Sequence, residues 1–282
     1  IIKVPVLGVL PYFKLDIEDE DSVTEKIKNK YSNGLDIAVI RLHHMSNFTD
    51  FNVLEIMEDV SVRYVEKVED VKEPDIIIIP GTKNTINDLR LIKESGIFNK
   101  IKELEKKGTI VFGICGGYQM LGNMITDSLG VEGEISNEEG FRFLDIDTIF
   151  NNDKRTTQVG GTIRESGKIF KKCFGIAVSG YEIHNGITKV NNNSLAFIKG
   201  NDGEILGVRN EAGNVLGTYL HGIFDEGDFL GEFVNCVRKY NGLNIIETEM
   251  KSYKSYKLNQ YDELAKLFEE NIDIERAIRI KN

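Results

Sequence analysis

The sequence predicts an α/β protein built on a mostly parallel sheet with helices on both faces. The first supporting observation is a set of short, continuously apolar runs such as residues 76–79, which are typical of strands buried on both faces. The second is that segments with helical periodicity follow these runs. Strands that alternate with helices in this way form parallel sheets.

The first part of the chain carries most of this alternation. Pro11 ends an apolar run over residues 6–10, which predicts a strand. Ser22 and Glu25 have the spacing of a capping box, which predicts a helix over 22–31. The remaining predicted strands of this part are 36–42, 60–65, 76–79 and 109–114, and the remaining predicted helices are 53–59, 85–94, 97–107 and a segment from Tyr118 onward.

The second half of the chain is richer in β-type runs, which glycines and asparagines separate into strands and turns. A helix is predicted at 229–240 and a second, amphipathic one at 261–271. The predicted strands are 143–150, 158–163, 180–184, 196–199, 205–208 and 215–220.

The composition is that of an ordinary soluble protein and excludes several classes of function. The chain has 282 residues, 41% of them hydrophobic, and a formal net charge of −10. An acidic surface repels phosphate backbones, so we expect no nucleic-acid partner. No apolar run approaches the roughly 20 residues of a membrane span and no signal peptide is visible, so we expect no membrane association and a cytoplasmic location.

The cysteines and the chain start bear on the setting of the protein. Cys115, Cys173 and Cys236 are far apart and odd in number, which disfavours a disulfide framework and a CxxC metal site. We therefore expect no metal and a reducing compartment. The chain does not begin with Met, and its first residues resemble the interior of a domain, so we expect a piece of a longer protein.

A thiol at the end of a buried strand is the strongest chemical signal. Cys115 follows the apolar run 109–114, precedes two glycines and stands just before a predicted helix. This is the arrangement of a nucleophile elbow with sulfur in place of oxygen. The helix N-terminus favours the thiolate, and the N–H of Gly116 points to where an oxyanion forms. The alternative is an ordinary buried core cysteine.

A cysteine nucleophile needs a base, and His221 is the first candidate. It follows the predicted strand 215–220, and the carboxyl ends of parallel strands meet at one edge of the sheet. His184 is the runner-up, and strand alternation places it on one face with Glu182. These two residues either line the active-site edge or bond each other. The pair His43 and His44 is interpreted as exposed loop histidines.

The segment from Pro80 to Thr85 ends another buried strand and precedes a helix. Its N–H groups at Gly81 and Thr82 are candidates for the second oxyanion donor, beside Gly116. The alternative is a plain strand–helix connection in which Thr85 caps the helix. No GxxxxGK[ST] sequence is present, so no P-loop for ATP is expected within the chain.

These residues resemble the triad-type (class I) glutamine amidotransferases and, among them, the cobyric acid synthase family. The elbow is the general part of the resemblance, and the other segments are specific to that family. In order, the segments are Gly8 to Tyr12 with Glu20 to Ser22, Ser46 to Phe51, Pro80 to Thr85, Gly113 to Gly122, Gly180 to His184, and Gly217 to Gly222.

The resemblance implies a class I amidotransferase fold in which Cys115 is the nucleophile and His221 the base. Many class I enzymes have a Glu two residues after this histidine, but Ile223 stands there in this chain. The identity of the carboxylate that orients His221 is therefore left open. Glu182 and Asp225 are the candidates, and a Cys–His dyad without a third member is the other possibility.

The resemblance also implies an organisation and a pathway. Residues 1–33 would be the tail of an N-terminal synthetase domain or a linker, 34–245 the amidotransferase domain, and 246–282 a C-terminal extension. The chain itself would need no cofactor, whereas the N-terminal domain would use ATP and Mg. The glutaminase would supply ammonia for the amidation of a corrinoid, adenosylcobyrinic a,c-diamide, in cobalamin biosynthesis.

Three further expectations remain open. Arg142 and Arg155 lie after the elbow helix and are candidates to bind the α-carboxylate of glutamine, although surface arginines are common. One alternative function is the glutaminase subunit of lipid II amidation, which shares the elbow and also lacks the Glu. Another is a non-catalytic module that keeps the amidotransferase fold for docking.

Overall fold

The structure is a computed structural model that describes residues 6–13, 15, 29–134, 136–225, 227–247 and 253–280. The chain divides into two compact units. The larger unit comprises residues 25–250, and the smaller one comprises residues 1–24 together with 251–282. No described helix combines the length and the apolar composition that crossing a bilayer requires.

The larger unit contains a single large sheet and six helices among its described residues. Short 3₁₀ turns lie at Phe48–Phe51 and Lys171–Cys173. Its strands are β1 (Leu35–Ile40), β2 (Val60–Val65), β3 (Ile76–Ile79), β4 (Ile110–Ile114), β5 (Met124–Asp127), β6 (Ser136–Glu139), β7 (Ile146–Ile163), β8 (Ala177–Val190), β9 (Leu195–Gly200), β10 (Ile205–Arg209) and β11 (Val215–Thr218). Its helices are α1 (Asn52–Glu55), α2 (Val68–Val71), α3 (Thr85–Glu94), α4 (Ile97–Lys106), α5 (Gly116–Met120) and α6 (Gly227–Tyr240).

The smaller unit is described through two helices and a short extended segment. The helices are α7 (Tyr253–Asn271) and α8 (Ile274–Ile280). Gly8 forms an isolated antiparallel bridge with Ile272, and the N–H of Asp273 donates to the carbonyl of Leu7 over 2.8 Å. These bonds join the extended segment to the turn between α7 and α8.

The sheet has a parallel part and an antiparallel part. The described strands follow the order β2-β1-β3-β4-β11-β10-β9-β7-β5-β6, with β8 paired to β7. Strands β2, β1, β3, β4 and β11 are parallel neighbours, so their carboxyl ends share one edge. From β10 onward most pairs are antiparallel, and β7 and β8 form a long hairpin-like ribbon.

The parallel strands form the core because both of their faces are covered. All four side chains of β3 have no exposed surface, and those of β4 are equally buried. The ring of Phe112 in β4 packs against Phe224 and Phe233 at centroid distances of 5.4 and 5.7 Å. Burial of this kind contributes roughly 1.5–3 kcal/mol for each large apolar side chain, so these strands are the rigid base of the protein.

The predicted fold class is confirmed, and most predicted elements lie within a few residues of the observed ones. The runs 143–150 and 158–163 are parts of one strand, β7, rather than two. Strands β5 and β6 and helices α2 and α8 were not predicted from the sequence. The predicted strand at 6–10 was wrong, since only the bridge at Gly8 forms there. The predicted helix at 22–31 lies mostly outside the described residues, and residues 29–31 are not helical.

A close approach of two backbones fixes where helix α5 begins. A Cβ atom on Gly117 would lie 1.9 Å from the carbonyl oxygen of Ile79 and 2.9 Å from that of Pro80. The end of β3 and the first turn of α5 therefore touch without room for a side chain. Only glycine permits this contact, which brings the loop after β3 against the residue that precedes α5.

We expect Gly117→Ala to lower the free energy of unfolding by about 3 kcal/mol, because the new methyl group forces two backbone segments apart. Urea denaturation would measure the loss. Gly160→Ala is the matched control, since its Cβ would meet the flexible amide of Asn201 at 3.3 Å and the carbonyl oxygen of Val178 at an ordinary contact distance of 3.7 Å. Equal stability of both variants would contradict this account of the contact.

Candidate active site

The thiol of Cys115 occupies a strained turn between β4 and α5. Its backbone has φ 51° and ψ −109°, a left-handed conformation that is rare for a residue with a Cβ. The N–H of Cys115 donates to the carbonyl of Thr218 in β11 over 2.8 Å, which anchors the turn to the neighbouring strand. Strain held in this way is common at catalytic positions. The side chain retains 6% exposure.

His221 reaches this thiol because β11 lies beside β4. Thr218, at the end of β11, is in register with Ile114, at the end of β4. His221 follows three residues later, has no exposed surface and lies beside Cys115, since a Cβ on Gly81 would contact both side chains. Its backbone is fixed by an antiparallel bridge to Tyr181, with N–H to carbonyl distances of 2.9 and 3.2 Å. The structure thus brings together the predicted nucleophile and base.

Asp50 orients the imidazole. One carboxylate oxygen lies 2.7 Å from Nδ1 of His221, and the other accepts the N–H of Gly222 over 2.8 Å. Asp50 is 3% exposed and belongs to the 3₁₀ turn that follows β1. A carboxylate held by two donors keeps Nδ1 protonated and leaves Nε2 facing the thiol. Cys115, His221 and Asp50 therefore have the geometry of a catalytic triad.

This geometry differs from the expectation that Glu182 or Asp225 would orient the histidine. Asp50 is hydrogen-bonded to Nδ1 of His221, and Nε2 lies 3.0 Å from Nδ2 of Asn47. Asp225 lies in the turn after His221, where its N–H donates to the carbonyl of Gly222 over 3.0 Å. Glu182 forms its ion pairs with Arg155 and His184. The carboxylate on Nδ1 is therefore that of Asp50.

The same contacts shift the acidity of His221. Burial by itself lowers the pKa of an imidazole, but the hydrogen bonds and the charges of Asp50 and Cys115 outweigh it and raise the pKa of His221 to about 10. The imidazolium form is therefore favoured inside the folded protein. A buried imidazolium between a carboxylate and a sulfur atom is suited to stabilising a thiolate.

Asn47 is a second neighbour of Nε2 and was not anticipated. Its Nδ2 lies 3.0 Å from Nε2 of His221, and Tyr181 donates its hydroxyl to Oδ1 over 3.3 Å. The residue is left-handed, with φ 55°. In this orientation the amide donates to a neutral imidazole. With the amide turned over, its oxygen accepts from an imidazolium, and the hydroxyl of Tyr181 accepts from the amide nitrogen.

Tyr181 also covers the imidazole. Its ring stacks on that of His221 with a centroid distance of 5.2 Å and an interplanar angle of 26°. The bridge, the stacking and the bond to Asn47 all come from one residue of β8. Tyr181 therefore holds both the histidine and the amide that touches it.

The loop after β3 brings the predicted oxyanion donor to the same place. A Cβ on Gly81 would lie 3.0 Å from Cε1 of His221 and 3.6 Å from Cβ of Cys115. A Cβ on Gly116 would lie 3.2 Å from the backbone nitrogen of Thr82. The backbones at Gly81 and Gly116 therefore flank the thiol, and the N–H of Gly116 stands at a helix N-terminus, where amides lack helical partners.

Buried Asp88 fixes the loop that carries Gly81. Thr82 donates its hydroxyl to Asp88 over 2.5 Å, and Nδ1 of His44 lies 2.9 Å from the other carboxylate oxygen. The backbone N–H of His44 also donates to Asp88. His44 was expected to be an exposed loop residue, but it is half-buried and ties the loop after β1 to the loop after β3.

The remaining predicted site residues lie in or next to the antiparallel part of the sheet. Glu182 and His184 line a cavity beside the triad, together with Arg155. Arg155 pairs with Glu182 over 2.7 Å and with Glu204 over 2.7 and 2.8 Å. Arg142 is exposed and pairs with Glu139 over 3.0 Å. The roles of both arginines in binding glutamine stay predictions.

The described residues contain no group of three or more metal-ligating side chains. The chemistry of the site is carried by a thiol, an imidazole and backbone amides. Such a set suits nucleophilic attack on a carbonyl carbon, in which an acyl group passes to sulfur and the imidazole protonates the leaving group.

Asp50, Asn47 and Tyr181 are the site residues whose roles sequence reasoning missed. All three lie inside segments that carry the family resemblance, Ser46 to Phe51 and Gly180 to His184. That clustering of polar residues in a loop after a buried strand was the available signal. It does not reveal which carboxylate faces the histidine.

The sequence and the fold were compared with known proteins. A model of the CobB/CobQ-like glutamine amidotransferase domain matches residues 36–229. A cobyric acid synthase from Clostridium botulinum is 53% identical over 99% of the chain, and one from Clostridium perfringens is 51% identical over 99% of the chain. A cobyric acid synthase from Alkaliphilus metalliredigens is 44% identical over 99% of the chain. The chain spans 56–58% of the length of these relatives.

Solved structures share the fold at low sequence identity. A crystal structure of a glutamine amidotransferase covers 72% of the chain, and 98% of its own length, with a TM-score of 0.52 and 17% identity. The structure of PurLQS from Thermotoga maritima covers 74% of the chain and 99% of its own length, with a TM-score of 0.53 and 19% identity. These likenesses establish the class I amidotransferase fold.

The raised pKa of His221 predicts a dependence of stability on pH. Because the folded pKa of about 10 lies above the ordinary value of 6.5, protonation of His221 stabilises the folded state. This contribution is complete below pH 6.5 and disappears as the pH rises towards 10. We expect the free energy of unfolding to decline over this range.

Asp50→Asn should flatten that decline, because the charge that holds the proton on His221 is gone. Urea denaturation of both proteins across the range measures the effect, and taking the difference between them cancels titrations elsewhere in the chain. If the two profiles run parallel, the His221–Asp50 pair is not the source of the raised pKa.

Proposed function

The chain belongs to the CobB/CobQ-like glutamine amidotransferase family, and on that premise we propose that Cys115, His221 and Asp50 hydrolyse glutamine to release ammonia. The observation that carries the proposal is the meeting of these three side chains at the carboxyl edge of the parallel strands. Ligands of open α/β sheets bind at this edge.

The first step is attack of Cys115 on the carboxamide carbon of glutamine. The imidazolium of His221 holds Cys115 as the thiolate, and the sulfur forms a bond to the carbon. The negative charge that develops on the carboxamide oxygen is held by the N–H groups of Gly81 and Gly116. His221 gives its proton to the nitrogen, the carbon–nitrogen bond breaks, and ammonia leaves a γ-glutamyl thioester on Cys115.

The second step frees the enzyme. Water loses a proton to His221 and attacks the thioester, and the same amides hold the oxyanion. The carbon–sulfur bond breaks, glutamate leaves, and the pair of Cys115 thiolate and His221 imidazolium is restored. Asp50 keeps its two hydrogen bonds throughout and holds the imidazole in one orientation during both proton transfers.

We further propose that this glutaminase is part of a cobyric acid synthase. The support is the name shared by relatives that are 44–53% identical over nearly the whole chain. Those relatives are longer than this chain, and the additional length would provide an ATP- and Mg-dependent synthetase. There the ammonia would amidate adenosylcobyrinic a,c-diamide in the cytoplasmic synthesis of cobalamin.

Replacing the nucleophile tests the proposal directly. We expect Cys115→Ala to abolish the release of glutamate from glutamine, measured by a coupled glutamate assay, because no thioester can form. In the longer enzyme the same change should spare synthesis from free ammonium. Cys236→Ala, at a buried cysteine outside the site, should retain activity. Glutamine hydrolysis that survives in Cys115→Ala would refute the assignment of the nucleophile, whereas a parent chain that does not hydrolyse glutamine would favour a docking role.

Replacing the orienting carboxylate separates the triad from a dyad. We expect Asp50→Asn to lower kcat by roughly 10²–10⁴, because an amide cannot hold a protonated Nδ1 as a carboxylate does. Asp225→Asn removes one of the two carboxylates that the sequence left as candidates and should change kcat by less than about tenfold. If Asp225→Asn is the more damaging change, the role assigned to Asp50 is wrong.

A further inference from the structure

A cavity of about 370 Å³ lies between the antiparallel strands and α5. Its walls come from β7, β8, the start of β10 and the two tyrosines Tyr118 and Tyr219. The mechanism proposed above uses none of its side chains. The charged or titratable side chains in its lining, apart from the tyrosines, are Asp153, Lys154, Arg155, Glu182, His184 and Glu204.

The cavity adjoins the nucleophile. Sγ of Cys115 lies 3.6 Å from the carbonyl oxygen of Ile183 in β8. The side chains on either side of Ile183, those of Glu182 and His184, both line the cavity. Tyr219 belongs to the same cavity wall. A molecule whose reacting end is at the thiol can therefore extend into this space.

Two buried hydrogen-bond acceptors face each other in the cavity. Nδ1 of His184 lies 2.8 Å from the carbonyl oxygen of Gly186, which only accepts, so Nδ1 carries a proton and Nε2 presents a lone pair in the neutral ring. Nε2 lies 4.0 Å from Oε2 of Glu182. Neither atom has a hydrogen-bond partner among the described residues, and the side chains are 10% and 3% exposed.

The neighbours of this pair hold it in place. The ring of His184 stacks on Tyr219 with a centroid distance of 3.7 Å. Arg155 places Nε 2.7 Å from Oε2 of Glu182, an ion pair that lacks hydrogen-bond alignment. The two acceptors are thus fixed at a separation too long for a direct bond. A single donor group between them would satisfy both.

A primary ammonium group has the donors and the charge that this pair of acceptors requires. It has three N–H donors and a positive charge, and two bonds of ordinary length, about 2.8–3.0 Å each, can span acceptors that stand this far apart. Burying an acceptor without a partner is costly, so a donor that satisfies both acceptors gains binding energy. Arg155 beside the pair adds a cation that can receive a carboxylate.

We propose that Glu182 and His184 bind the α-ammonium group of glutamine and make the site specific for the free amino acid. Three carbon–carbon bonds of about 1.5 Å separate the α-carbon from the reacting carboxamide, so the head group lies just beyond the thiol. The inference rests on the proposed glutaminase function. It gives the segment from Gly180 to His184 two roles. Tyr181 packs on the imidazole of His221, whereas Glu182 and His184 bind the substrate.

Binding to an inert chain tests the proposal independently of hydrolysis. In the Cys115→Ala background, calorimetry compares L-glutamine with 4-carbamoylbutanoate, which has the same carboxamide and carboxylate but no amine. Glutamine should bind more tightly. Adding Glu182→Gln should weaken glutamine binding roughly 10- to 100-fold and leave 4-carbamoylbutanoate unchanged. His184→Phe, which keeps the stacking on Tyr219, should act in the same direction.

Glu204→Gln is the matched control, because it removes a carboxylate from the same arginine but not from the ammonium pair. It should keep the preference for glutamine. The proposal is overturned if Glu182→Gln weakens both ligands equally, if Glu204→Gln removes the preference, or if the inert chain does not bind glutamine. If the chain without substitutions does not hydrolyse glutamine, the proposed function is contradicted. The binding measurements would still decide whether Glu182 and His184 recognise the ammonium group.

Discussion

The buried carboxylate of Asp50 is the interaction on which the arrangement of the site depends. It accepts from the imidazole of His221 and from the N–H of Gly222, and so joins the loop after β1 to the loop after β11. Hydrogen bonds to a charged group contribute about 1.5–3 kcal/mol each, whereas a buried charge that loses its partner costs about 3–5 kcal/mol. Separating the two loops is therefore unfavourable, because it would leave the buried carboxylate without its hydrogen-bond donors.

The parallel strands determine what this carboxylate can reach. Because β1, β3, β4 and β11 all run in the same direction, the residues that follow them collect along one edge. The thiol, the imidazole, the oxyanion loop and the orienting carboxylate each come from the end of a different strand. Glycine contacts then close the remaining gaps, since the first turn of α5 touches the end of β3 through Gly117.

Local patterns in the sequence predicted the strands, the elbow and the base, because each depends on a few neighbouring residues. The apolar run of β3 and the glycines around Cys115 are examples. The partner of His221 could not be predicted in this way, since Asp50 lies 171 positions earlier and only the pairing of strands brings them together. The two short strands that were missed, β5 and β6, have weak apolar patterns, so their pairing depends on tertiary contacts.

Strand β8 shows how a sheet can separate two tasks. Successive side chains of a strand point to opposite faces, so Tyr181 stacks on the imidazole while Glu182 and His184 line the cavity. The carbonyl between the latter two lies against the thiol. A displacement of this strand would move the histidine contact and the cavity wall together. Binding a ligand in the cavity and orienting the base are therefore mechanically coupled, because the same few residues of backbone carry both.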